Sequence, residues 1–294
     1  SDETVKRLGS IASGERYENW KSALDASSSE SLTGIGPGTY EYWYAREGSG
    51  YQFVRDAHSI YLESLAEMGP VGLILVLALV LGPLGMAVAL ALKQGSDRRR
   101  GLAAAAAAGM VAFAVAAGID WAWEMTVLPV MFFVLAAGIL GPESAAARPS
   151  EIAVGSSPGG TPLNWAVRIP ILAGGLAAIA LIAVPLAATN AFRDSQAAFR
   201  AGDVEQSLDD ARLAVSLQPY SASAKIQEAQ VLAALGRDVE AANTAREAAE
   251  EEPVNWRNWL VLSQILAKSS ARESRSAYER ARQLNPRSSI FNRQ

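Results

Sequence analysis

One histidine, His58, stands among 294 residues, and there is no cysteine. A single imidazole cannot build a multi-histidine metal site, and without thiols neither a disulfide nor a thiolate metal centre can form. What His58 can do is exchange a proton near neutral pH. It lies in the run VRDAHSIYLESLAEMGPVGL, with Arg55 three residues before it and Glu63 and Glu67 a helical turn apart after it. If that run is helical, Arg55 faces the same way as His58. Glu63 and Glu67 could pair as carboxylates, but nothing spaces them as a metal site, and the positive start of a helix accounts for them as well. Upstream, Arg16 sits in GERYENW, where alone it reads as a solvated helix charge or a salt-bridge partner. Residue types therefore supply a proton acceptor and cations without deciding a reaction, since a lone histidine at an interface is often only a hydrogen-bonded structural residue.

The elements that must position these groups are of three kinds. SGERYENWKSALDA, residues 13–26, predicts an amphipathic helix with Ser13 as its cap. GIGPGTY at 34–40 predicts a sharp bend; Pro37 and the lack of a following amphipathic helix argue against a dinucleotide-binding loop. Residues 70–92, PVGLILVLALVLGPLGMAVALAL, carry no charge and are long enough to cross a hydrocarbon core of about 30 Å. Further spans are expected at 102–119, at 125–140 with Trp121 and Trp123 as interfacial anchors, and at 169–188 with Arg168 snorkelling at the edge. Asp120 and Glu124, at the turn between the second and third, are interfacial charges that could line a site from below.

The short loop KQGSDRRR brings together Lys93, Arg98, Arg99 and Arg100, which marks the cytoplasmic side. Alternation then places residues 1–69, the 120–124 turn and everything after the fourth span outside, and the loop at 141–167 inside. The net charge near -4 gives no electrostatic reason to expect nucleic acid, and the mean hydropathy of +0.11 averages an apolar middle with charged flanks.

From Asn190 onward alanine, glutamate, arginine and glutamine dominate. Pro219, Pro253 and Pro286 recur at intervals of about 34 residues, as do Gly202 and Gly236, which is the tetratricopeptide period. Each unit predicts two helices, with small residues such as Ala211, Ala214, Ala245 and Ala281 where paired helices approach. This tail resembles the tetratricopeptide repeat family, with an ordinary helical bundle as the other possibility. It serves either as a docking surface for a protein or glycan partner or as a packing appendage.

GERYENW, GIGPGTY and AHSIYLESLAEMGPVGL, in that order and leading into a membrane helix, resemble the carboxy-terminal half of the O-antigen ligase-like family. Ser59 departs from the pattern, which usually has asparagine after the histidine. The resemblance implies inverting, metal-independent glycosyl transfer without a cofactor, from a polyprenyl-diphosphate-linked glycan to a glycan or lipid acceptor, in a bacterial cytoplasmic (inner) membrane. It makes His58 the candidate base and Arg16 a catalytic cation for the departing diphosphate, with Arg55 as a weaker diphosphate-binding residue. Because the chain begins at Ser1 without a signal peptide, further spans are expected upstream, and these residues alone are expected to lack transferase activity.

The expected fold is all-α: polytopic transmembrane helices followed by a C-terminal tetratricopeptide-like helical solenoid. Residues 1–69 form an extracytoplasmic catalytic-type loop, 70–188 a transmembrane region of about four helices, and 189–294 the repeat domain. A membrane-anchored tetratricopeptide scaffold for envelope proteins, without catalysis, is the alternative.

Overall fold

The computed structural model describes residues 2–49, 53–93, 96–140 and 165–292, and their regular structure is entirely helical. The loop expected at 141–167 falls, as far as residue 164, outside the described residues. Contacts divide the chain into two units, Ser1–Arg148 with Asn285–Gln294, and Pro149–Leu284.

In the first unit, α1 (Asp2–Ser29) begins well before the predicted start. No proline interrupts residues 2–12, and Asp2 and Glu3 suit the positive end of a helix, so Ser13 lies inside α1 rather than capping it. The short α2 (Tyr40–Glu47) follows the glycine-rich turn, and α3 (Ile60–Leu92) runs for 33 residues with a break at Gly69, where φ is 65° and ψ is -166°. The charge-free part begins at Pro70, the residue after the break, where a missing N–H costs no helical hydrogen bond. α4 (Asp97–Ile119) extends the second predicted span backward through the basic residues, and Trp121–Glu124 form a 3-10 turn.

α5 (Val127–Leu140) has 14 residues, which at 1.5 Å each cover roughly 21 Å and fall short of a bilayer core. Of the four expected spans, the one at 125–140 is therefore not among the helices of spanning length in the described residues. Three helices are long and apolar enough to cross a membrane by length and composition, those at Ile60–Leu92, Asp97–Ile119 and Leu172–Ala201. The protein is a multi-pass membrane protein. α3, α4 and α5 pack through Val80, Ala87, Ala107, Met110, Phe132 and Ala136, with the rings of Phe113 and Phe132 4.9 Å apart. The alanines of α4 let the helix axes approach, as suits a medium in which packing rather than hydrophobicity joins helices. Val71, Ile74, Leu75 and Leu79 of α3 stay outward-facing and more than half exposed, a placement that suits lipid.

In the second unit, α6 (Trp165–Ala201) carries the apolar run of the last span straight into polar residues. Composition changes near Asn190 without ending the helix, which holds Pro170 and Pro185 within it and continues to Ala201, where Gly202 at φ 84° ends it. There follow α7 (Val204–Leu217), α8 (Ala222–Ala234), α9 (Asp238–Glu251), α10 (Trp256–Leu266) and α11 (Ala271–Leu284). Asp203, Ser221 and Asn255 cap α7, α8 and α10 through their side chains, and Pro219 and Pro253 sit in the turns between them. Successive helices pack on one another, and Ala211, Ala214, Ala245 and Ala281 are all buried where they do so. A buried polar knot ties α6 to α7 and α8: the hydroxyls of Ser195 and Ser207 each donate to the other's carbonyl, and Gln227 Nε2 donates to Ser195 Oγ.

Candidate functional site

The break at Gly69 organises the loop that carries the histidine. Pro70 has no N–H to give the Ala66 carbonyl, and the turn of backbone at Gly69 deprives Glu67 of its partner in the same way. Both carbonyls are satisfied from the glycine-rich turn, Ala66 by the N–H of Ile35 at 2.9 Å and Glu67 by that of Gly36 at 3.0 Å. The Glu67 side chain completes the clasp by accepting from Gly38 N at 2.8 Å and Tyr40 N at 3.0 Å. GIGPGTY is thus a cap built for a broken helix, which is more than the bend expected of it.

Glu67→Gln puts an amide N–H against one of those two backbone donors. We expect a loss of about 1–3 kcal/mol, the usual cost of an unsatisfied buried N–H, read as a lowered unfolding temperature in detergent.

On this frame Tyr40 is fully buried, and its hydroxyl donates to the Asn19 carbonyl at 2.8 Å, holding α1 against the turn. Ala23, Ala26, Tyr44, Ala57 and Ala66 fill the space between. The segment from Phe53 to Ser59 is not helical, so the i, i+3 argument that placed Arg55 beside His58 does not apply, and Arg55 is exposed. Ser59 caps α3, its hydroxyl accepting from Leu62 N at 3.5 Å. Serine, like asparagine, is a strong helix cap, so the residue after the histidine has a local structural role here. The Glu63 side chain accepts from Ala57 N at 2.8 Å. Both glutamates are therefore engaged with backbone, and among the described residues no group of three histidine, cysteine or acidic side chains is gathered as metal ligands.

His58 has φ 56°, the one positive value at a non-glycine residue among those described. Its Nδ1 lies 3.0 Å from Asp56 Oδ1, its backbone N–H donates to the same oxygen at 3.2 Å, and the Asn19 amide nitrogen is 3.5 Å from Nδ1. The Asp56 carboxylate holds the imidazole pKa above its ordinary value, burial opposes that, and Asp120 adds to it. In return the His58 ring holds the Asp56 carboxyl below its ordinary value. Arg16, one turn before Asn19 on α1, pairs with Asp120 at 3.1 Å, both side chains being somewhat more than one-third exposed.

The structure therefore brings Arg16 and His58 to one place, together with Asn19, Asp56 and Asp120. Residues 3–77 match the O-antigen ligase family model (Wzy_C). The matched segment covers α1, the glycine-rich turn, the histidine and the start of the first span, about a quarter of the chain. No curated protein matches the chain. The O-antigen ligase match supports the ligase-like reading of the first unit and leaves α4 to α11 outside it. Of the residues gathered within this O-antigen ligase-like segment, Asn19 and Asp56 were not singled out from sequence. Asp56 stands two residues before the histidine and Asn19 three after Arg16, spacings that place each beside a candidate already named.

Proposed function

We propose that the protein is an O-antigen ligase-like glycosyltransferase of surface polysaccharide assembly, moving a polyprenyl-diphosphate-linked glycan to a hydroxyl of a glycan or lipid acceptor. The observation that carries the reading is that α1, within the segment that matches the family, sets Asn19 against His58 and carries Arg16 one turn away, paired with Asp120. His58 takes the proton of the acceptor hydroxyl as its oxygen attacks the anomeric carbon. The new C–O bond forms on the face opposite the departing diphosphate, so configuration inverts, and the bond from the anomeric carbon to the phosphate oxygen breaks with its electron pair leaving on that oxygen. Arg16 exchanges Asp120 for the diphosphate, for which a guanidinium is well shaped. Arg55, exposed and next to Asp56 in the chain, is a reserve cation for the same group.

The basic loop at Arg98, Arg99 and Arg100, read as cytoplasmic, supports a topology of four crossings, α5 included, with α1, the histidine loop and the tail on the outer side of a bacterial cytoplasmic membrane. The paired helices of the tail are read as tetratricopeptide units, with a period of about 34 residues, that meet acceptor or protein partner there.

The test is transfer from a polyprenyl-diphosphate-linked glycan to an acceptor by the full protein in nanodiscs, with and without a metal chelator. Product that persists in chelator supports the reading; absence of product under both conditions refutes it. Within that assay Arg16→Gln should weaken the donor's apparent affinity about 10–100-fold, the worth of hydrogen bonds to a charged group. Its thermal stability should hardly move, because a half-exposed ion pair contributes little.

A further inference from the structure

His58 is held by a very local device. In the sequence Asp56-Ala57-His58 one carboxylate oxygen, Asp56 Oδ1, receives the backbone N–H of His58 at 3.2 Å and also lies 3.0 Å from its ring nitrogen Nδ1. The backbone carbonyl of Asp56 lies 3.2 Å from the same Nδ1. The first bond is an Asx-type turn, which lets the following chain adopt the positive φ seen at His58. Both oxygens near Nδ1 are acceptors, so Nδ1 must carry the proton. The ring's remaining lone pair is then on Nε2, which faces away from this clamp.

We propose that Asp56 is the positioning residue of the site, fixing His58 as the Nδ1–H tautomer and presenting Nε2 as its only proton acceptor. This rests on the transferase reading given above. A second consequence concerns Asn19, whose side chain is buried 3.5 Å from Nδ1. Since Nδ1 is a donor, the amide of Asn19 turns its oxygen, not its nitrogen, toward the ring. Nitrogen and oxygen are exchanged by a half-turn of the amide, so the assignment follows from the bonding pattern.

Among the described residues, the groups around His58 come from its own segment, from α1, from α3 and from the end of α4, and burial raises the Glu63 carboxyl of α3 to about 7. Asp56 belongs to the histidine's own segment, Asn19 and Arg16 come from α1, and Asp120 comes from the end of α4 with its charge shared with Arg16. Glu63 of α3 is occupied by the Ala57 N–H. A base works in its neutral form, so transfer should rise with pH through a value above the ordinary histidine value, since Asp56 favours the protonated ring. Removing the Asp56 charge should move that rising limb toward lower pH.

The experiment uses the full protein labelled with ¹⁵N-histidine in nanodiscs, the His58 signal being assigned by its loss in His58→Asn. Two variants separate the charge of Asp56 from its bonding. Asp56→Asn keeps an oxygen for the turn but removes the charge; Asp56→Ala removes both. We expect the wild type to show the Nδ1–H tautomer, Asp56→Asn to titrate at lower pH, and Asp56→Ala to lose the tautomer preference. In transfer, Asp56→Ala should lose about 10²-fold in kcat with little change in KM, the cost of a misplaced catalytic group. An unchanged tautomer and titration in Asp56→Ala would overturn the proposal, as would an unchanged kcat. Full transfer in a variant without His58 would instead remove His58 as the base, and absence of transfer by the wild type would sink the transferase reading, while the resonance measurements would still report on the clamp.

Discussion

Replacing His58 with alanine is expected to lower glycan transfer by about 10²–10⁴-fold, the range associated with loss of a general base. The variant should still fold and insert. His58 caps no helix and contributes to no apolar core, and its ring is about 29% exposed. Its removal leaves Asp56 still accepting the backbone N–H of residue 58, so the turn survives. The loss of the ring's bond to a carboxylate should cost roughly 1–3 kcal/mol of stability. His58→Asn is the sharper form of the experiment, because asparagine tolerates a positive φ and removes the base while sparing the backbone. Activity measured as product per folded protein, with folding checked by size-exclusion and thermal melting, separates the two effects. Transfer within a factor of a few of wild type in both variants would show that His58 is not the base.

The second large effect is structural and falls on the clasp between the glycine-rich turn and α3. A Cβ added at Gly69 would sit 2.3 Å from the Leu32 carbonyl oxygen, and one added at Gly34 would sit 2.4 Å from the Glu67 carbonyl carbon and oxygen. In both cases the obstructing atoms are backbone, so no side chain can swing away. The two glycines also have φ of 65° and 70°, where an L side chain costs about 1–2 kcal/mol before any clash. Gly69→Ala and Gly34→Ala should each exceed about 4 kcal/mol, at the exceptional end for single substitutions. The expected readout is loss of a folded first unit, seen as rapid proteolysis near the turn. Gly38 supplies the control: its φ is 71°, yet an added Cβ meets nothing within 4 Å, so Gly38→Ala should cost only the backbone preference. Equal behaviour of all three variants would mean that close approach at Gly34 and Gly69 is not what holds the clasp.

The contrast between these glycines shows what could be read ahead of the structure. The spans were legible because an uncharged apolar run of bilayer length is seldom stable anywhere but in lipid, and the start of the first at Pro70 was legible in the same residues. The third expected span is represented by α5, whose 14 residues end with the described stretch. His58 and Arg16 were legible only through the order of three short motifs. Asp120 was named as a charge that could line a site, but its pairing with Arg16 was not legible, because no periodicity links two residues 104 positions apart. Asp56 was within reach, since an acidic residue two places before another residue is the pattern of an Asx turn. The helical-face argument for Arg55 was conditional, because a spacing of three means one face only on a helix, and residues 53–59 are not one. In the tail, the glycine and proline spacing marked the helix ends, but the join between Ala188 and Asn190 left no mark because a composition change is not a break in hydrogen bonding.

That unmarked join has a mechanical consequence. A helix that continues past Pro185 to Ala201 transmits rotation, so the angle at which its last apolar turns settle sets the azimuth of Ala191 and Ser195, onto which α7 and α8 are bolted. At 3.6 residues per turn, one residue inserted near Asn190 advances that azimuth by about 100°, whereas seven bring it back to within about 20°. The tail is therefore keyed to the span in phase as well as joined to it in sequence.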